Sequence, residues 1–137
     1  PISCAAALAT LRIYQEDKLL ENTRRLESVV AQGLVDLKSR HPSVGDVRGL
    51  GLFWIIELVK DRGTRVPLVP WNAKPSELGP IPAISRHLRQ QGLYTFVKWN
   101  WIFVAPPLCI NADQIAEGLS VIDSALQIAD DSLADRR

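Results

Sequence analysis

The sequence contains no methionine and only two cysteines, Cys4 and Cys109. Two distant cysteines do not make a disulfide-stapled secreted fold. They read as two buried thiols of a protein kept in a reducing compartment, the cytoplasm. No apolar stretch nears the roughly 20 residues that a membrane-spanning helix needs, and the N-terminus lacks the charged-then-apolar layout of a signal peptide. Charge of either sign is not in excess: sixteen Lys and Arg face fifteen Asp and Glu, for a net charge of +1. That balance gives no electrostatic reason for nucleic acid or an anionic membrane as partner. Histidine is scarce as well. His41 and His87 stand far apart with no cysteine or carboxylate at metal-ligand spacing, so they read as two surface histidines, and no metal site is expected. Gly49-x-Gly51 is too short for a dinucleotide fingerprint. Internal repeats and low-complexity segments are also missing. The lack of methionine, with a start at Pro1 that runs straight into helical sequence, leads us to expect a piece of a longer polypeptide.

What is present is an ordinary globular composition, 47% hydrophobic and 23% charged over 137 residues, enough for one domain with its own core. Ser3 is placed to cap a small-residue helix containing Ala5, Ala6, Ala7, Leu8 and Leu11. Beyond Gln15, Leu19, Leu26, Val30, Leu34 and Leu37 recur at helical spacing. The pattern stops at His41-Pro42, because proline disfavours helical geometry in its predecessor. Val44–Val47 and Leu50–Val59 then read as strands, with Gly49 and Gly51 marking a bulge or close backbone approach. The run Phe53-Trp54-Ile55-Ile56 is apolar on both faces, which predicts a central, covered strand.

Five prolines between Asp61 and Pro82 predict a surface loop or insertion, opening with a turn at Asp61-Arg62-Gly63. Ile84 and Leu88 mark a helix with Arg86, Arg89 and Gln90 on its wet side and Gly92 as its stop. Leu93–Val97 and Ile102–Val104 read as two more strands, ended by Pro106-Pro107. Asn111 and Gln114 form a capping-box pair ahead of a stripe of Ile115, Leu119, Ile122, Leu126 and Ala129. The charged tail from Asp130 to Arg137 reads as fraying. The order of elements predicts an α+β fold, a small mostly antiparallel sheet with helices packed on one face.

Few residues carry chemistry. Lys98, Trp99, Asn100 and Trp101 stand together between two strand patterns. One reading is a turn whose tryptophans cover the sheet edge. The other is a substrate-facing wall in which the rings give apolar area and Lys98 and Asn100 give polar contacts. Basic and aromatic residues together also suit single-stranded nucleic acid, against which the neutral overall charge argues. Cys109 reads as inert rather than nucleophilic.

Three segments, in order, resemble a known family. Pro1-Ile-Ser-Cys-Ala-Ala-Ala-Leu-Ala9 is similar to the segment after the Gly-His-Pro turn of class III pyridoxal-phosphate-dependent aminotransferases. Val47-Arg48-Gly49-Leu50-Gly51-Leu52 resembles their Val-Arg-Gly-x-Gly-Leu strand pair, and Ala105-Pro106-Pro107-Leu108 their Ala-Pro-Pro-Leu segment. The resemblance covers nearly the whole chain, and within the class it is nearest to enzymes that move amino groups from amines or ω-amino acids to pyruvate or a similar keto acid. It implies fold type I, a homodimer with active sites between subunits, and pyridoxal 5'-phosphate in the full-length enzyme. Residues 1–137 would then be the C-terminal small domain, which closes the active site and contacts substrate but is inactive alone.

The resemblance also implies that the large cofactor-binding domain, with its cofactor lysine, lies outside this chain. None of Lys18, Lys38, Lys60, Lys74 and Lys98 sits in the family's Schiff-base context, so no cofactor is expected on this chain alone. Many members place an arginine on the strand before Ala-Pro-Pro-Leu, and that position is Phe96 here. Side chains alternate along a strand, so Lys98 shares the face of Phe96 and can stand in for that arginine. Lys98 and Asn100 are therefore the substrate-binding candidates, for a small-molecule amino donor or keto acid. The competing reading is a free-standing interaction module derived from this domain.

Overall fold

The computed structural model describes residues 1–134 and has the expected α+β architecture. Helix α1 (Ile2–Glu16) leads into α2 (Leu19–Arg40). Strands β1 (Val44–Leu50) and β2 (Phe53–Asp61) form a hairpin, and the short β3 (Val66–Pro67) folds back on the end of β2. A 3-10 turn (Pro75–Glu77) precedes α3 (Ile81–Gln90). Strands β4 (Val97–Lys98) and β5 (Trp101–Val104) form a second hairpin, and α4 (Ala112–Ala134) ends the described chain. The sheet runs β1-β2-β5-β4 with antiparallel pairings throughout, β3 lying off this path beside β2.

The core lies between one face of this sheet and α2, α3 and α4. Leu26, Val30, Leu34 and Leu37 of α2 meet Val44, Ile56, Leu58 and Ile102 of the sheet. Ile84 and Leu88 of α3 and Ile115, Ile122, Leu126 and Ala129 of α4 complete the cluster. Each fully buried Leu or Ile contributes about 1.5–3 kcal/mol. The helical stripes therefore outweigh the modest intrinsic helix preference of their sequences. At Gly33 of α2 the Leu119 side chain of α4 packs close: a Cβ there would stand 2.4 Å from Leu119 Cδ1.

Long-range polar contacts fasten α2 to its neighbours. His41 is buried, its Nδ1 2.7 Å from Asp130 and its Nε2 2.8 Å from Asp123, both on α4. This corrects the surface reading of His41. Its partners lie more than eighty positions downstream and leave no local signal. Asp130 also accepts from the Ser43 amide at 3.0 Å. Arg62, though exposed, folds back and donates to the carbonyls of Lys38, His41 and Val44, so a cation closes the C-terminus of α2. His87 meets Ser124 Oγ at 2.8 Å.

Other expectations fail for identifiable reasons. Helix α1 starts at Ile2 with Pro1 as its cap and Ser3 inside the first turn, the Ala5 amide donating to the Pro1 carbonyl. Cys4 and Cys109 are free and exposed, not buried. Leu93–Phe96 is not strand. The Leu93 amide turns back to the Leu88 carbonyl beyond Gly92, and ladder pairing begins only where the Phe103 amide reaches the Phe96 carbonyl. The loop from Asp61 to Pro82 is less irregular than its prolines imply, since Leu68 and Val69 are buried in the core. Residues 130–134 continue α4, while the rest of the expected fraying tail lies outside the described residues. The Asn111–Gln114 capping box is present, with both reciprocal bonds made at 2.9 and 3.1 Å.

Glycine is required in the β1–β2 hairpin. Gly51 adopts φ +59, and a Cβ there would stand 2.8 Å from Thr23 Cγ2. Its amide donates to Glu27 Oε1 at 2.9 Å, and its carbonyl accepts from Trp54 Nε1 at 2.9 Å. Gly51→Ala is expected to lower unfolding free energy by about 1–3 kcal/mol, measured by urea denaturation. Unchanged stability would show that an ordinary strand conformation suffices at this position.

Candidate functional site

Helices cover only one face of the sheet. Register defines what the other face carries. Asp46, Glu57, Trp101 and Lys98 lie in one cross-strand row. Arg48, Ile55 and Phe103 make the next, extended by Phe96 through the bond from the Phe103 amide. Leu50 and Phe53 make the third. This corrects the expectation for β2: the strand is central in the sheet, but Phe53 remains 55% exposed and Ile55 only half-buried. The sequence pattern reports that both faces are apolar without reporting what covers the second.

At the β4–β5 turn the chain reverses through Trp99 and Asn100. Trp99 sits at φ +50, a left-handed conformation that costs a non-glycine residue about 1–2 kcal/mol. Two sets of contacts offset that cost. The Trp71 ring lies 4.6 Å from Trp99 and 5.0 Å from Trp101, so the proline-rich loop closes an aromatic cluster over the turn. Asn100 is buried, and its amide clamps the same loop. Its Oδ1 accepts from the Val69 amide at 2.7 Å and its Nδ2 donates to the Val69 carbonyl at 2.9 Å. The Asn100 backbone carbonyl also accepts from Leu58 at 2.7 Å.

Lys98 and Asn100, two positions apart, therefore differ in their surroundings. Asn100 points inward, its amide oxygen and nitrogen both engaged with the main chain. Lys98 is exposed on the bare face, its Nζ 4.4 Å from the centroid of the Trp99 ring. Among the described residues it forms no ion pair with a carboxylate. The other cation on this face is matched. Arg48 pairs with Glu57 at 2.7 Å and with Asp46 at 2.9 Å. These hydrogen bonds, Glu57's first, raise the Arg48 pKa. Lys38 bonds Asp46 at 3.0 Å, and chiefly for that reason the Asp46 carboxyl lies below its ordinary range. A carboxyl shifted down adds stability above its unfolded pKa of about 3.9. The increment is lost as pH falls through the lower folded value.

Lys38 is tied to Asp46, and Lys18, Lys60, Lys74 and Lys98 are exposed rather than enclosed. Among the described residues no cluster of His, Cys, Asp and Glu could hold a metal ion, and no helix is long and apolar enough to cross a membrane.

Comparison with known proteins supplies the context for this face. The model of the aminotransferase class-III family matches residues 1–126. Ethanolamine-phosphate phospho-lyase homolog 1 of Caenorhabditis elegans is 33% identical over 132 residues, 93% of this chain and 26% of that protein. Taurine–pyruvate aminotransferase of Bilophila wadsworthia is 48% identical over 64 residues, 47% of this chain and 14% of that protein. Taurine:2-oxoglutarate aminotransferase of Bifidobacterium kashiwanohense, solved in complex with PLP and glutamate, superposes with a TM-score of 0.87 at 31% identity. That match covers 95% of this chain and 28% of that one.

Asn100→Ala strands the Val69 amide and carbonyl, each such buried group costing about 1–3 kcal/mol. It is expected to lower the melting temperature and to red-shift tryptophan emission as Trp71 leaves the cluster. A variant with wild-type melting and emission would show that the Asn100 clamp does not hold the loop. With the family model matched along nearly its whole length, the chain belongs to the class-III aminotransferases.

Proposed function

We propose that residues 1–137 are the C-terminal small domain of a pyridoxal-phosphate-dependent enzyme. It would move an amino group from an amine or ω-amino acid to pyruvate or a similar keto acid. The observation that carries this reading is one of extent: a family match over residues 1–126 in a chain spanning only about a quarter of the relatives it matches. In such an enzyme the cofactor supplies an electron sink for the substrate's carbon. In this reading it is held by a large domain outside these residues. The intact protein is a cytoplasmic homodimer in this reading, and the small domain closes over the substrate.

The working residue is Lys98. A cation on a bare sheet face with no carboxylate partner among the described residues is available to a ligand's anion. Its placement over Trp99 keeps it beside an apolar surface that excludes water. Lys98 offers a point charge on a flexible stem, whereas arginine offers a planar fork matched to a carboxylate. A tetrahedral oxyanion suits the point charge as well as a carboxylate does. The taurine named for two relatives ends in a sulfonate, which supports this preference. Asn100 takes part indirectly, holding the turn that presents Lys98.

The test is Lys98→Ala in the intact enzyme, compared on taurine or 3-aminopropanoate and on a neutral amine. Loss of a hydrogen bond to a charged group should cost about 1.5–3 kcal/mol in kcat/KM with the anionic donors. The neutral donor's half-reaction should change little. Equal losses on both classes of donor, or none on either, would sink the assignment.

A further inference from the structure

His41 closes α2 and is buried, with a carboxylate oxygen at each ring nitrogen. Nδ1 stands 2.7 Å from Asp130 Oδ2, and Nε2 stands 2.8 Å from Asp123 Oδ1. A neutral imidazole has one N–H and can donate to only one of them. The other contact would set a ring lone pair against an anionic oxygen. Both carboxylates already accept from other donors: Asp123 from Arg40 Nη1 at 3.1 Å, Asp130 from the Ser43 amide at 3.0 Å. The arrangement is satisfied when the ring carries both protons and bridges the two carboxylates as a cation.

No other cation takes this place for Asp130. Lys60, Asp61 and Arg62, from the end of β2 and the turn beyond, share a hollow with it. Arg62 is engaged with main-chain carbonyls, and Asp61 with Thr64. On the flanking helices Lys38 bonds Asp46, and Asp131 bonds Gln127. Among the described residues His41 is the one cationic partner of Asp130. The apolar hold on α4 also thins toward its end. Ile115, Ile122 and Leu126 are buried, but beyond them the only fully buried side chain is that of Ala129. Burying an alanine contributes much less than burying a leucine, so the last turns of α4 lean on the contact with His41.

We infer that His41, Asp123 and Asp130 form a proton-dependent latch that holds the last turns of α4 to the junction of α2 and β1. The closed latch contains the second ring proton. Histidine in water releases that proton at about pH 6.5. The latch is therefore closed on the acidic side and weakens as pH rises and the proton leaves. Every partner lies within this chain, so the latch requires no ligand.

The test is hydrogen–deuterium exchange of the intact enzyme at about pH 6 and about pH 8, on either side of histidine's ordinary titration. Labelling times are scaled to the intrinsic amide rate. Protection of residues 127–134 should fall about tenfold or more as pH rises, through loss of a hydrogen bond to a charged group. Residues 115–122, held by Ile115 and Ile122, should keep theirs. Asp130→Asn supplies the missing donor, because its amide nitrogen can donate to a neutral ring while its oxygen still accepts from Ser43. That variant should show equal protection at the two pH values. Should it fail to fold, Asp123→Asn, on the more exposed partner, does the same at the other ring nitrogen. No fall in the unmodified enzyme would overturn the inference. So would a fall of the same size in the variant, or one shared by residues 115–122.

Discussion

An antiparallel sheet whose strands are apolar on both faces must have both faces covered, because each large side chain left in water forgoes its share of burial energy. Here α2, α3 and α4 satisfy only one face. Val44, Ile56, Leu58 and Ile102 disappear beneath the leucines of α2 and the stripe of α4. On the opposite side Leu50, Phe53 and Phe96 remain in solvent, joined by the half-buried Phe103 and Ile55. The same one-sidedness affects α1, which has no buried residue and leaves Leu8 and Leu11 exposed. Contiguous apolar surface of this kind marks a place built to be met by something else.

That constraint also explains where polar residues are spent. On the covered side they serve as fasteners: His41 between Asp123 and Asp130, Arg62 on the last carbonyls of α2, Asn100 on Val69. All three join separate segments; His41 and Asn100 are buried, and Arg62 stays exposed. On the bare side the polar residues sit in the row of Asp46, Glu57, Trp101 and Lys98, where all but one of the charges are paired within the chain. The exception is Lys98, raised on a turn that adopts a disfavoured backbone conformation at Trp99. Strain held in place by buried hydrogen bonds and stacked rings is a recurring feature of positions that act on ligands.

The fold was largely legible from periodicity. The stripes of α2 and α4, the proline that ends α2, the Asn111–Gln114 box and the Gly51 turn are local signals, and local signals survive in a sequence. What escaped depends on partners far along the chain. His41 looked superficial because Asp123 and Asp130 lie more than eighty residues on. Asn100 looked like a ligand contact because its partner, Val69, sits within the proline-rich loop. Leu93–Phe96 reads as strand by composition, yet the turn after Gly92 takes its first amide. Lys98 became a candidate through the resemblance, which places an arginine at position 96, together with strand alternation. That it has no ion-pair partner among the described residues while Arg48 has two depended on cross-strand register.

The central proposal is that Lys98, on the bare face, meets the donor's anion. Hydroxyl-radical footprinting with mass-spectrometric readout measures it directly. Phe53 and Phe96 should label readily in the isolated 137-residue chain. In the intact enzyme Phe96, two positions from Lys98, should remain reactive until an anionic ligand is added, and then become protected while Tyr94 does not. Phe96 that is already shielded without ligand, or that labels equally with and without it, would contradict the account.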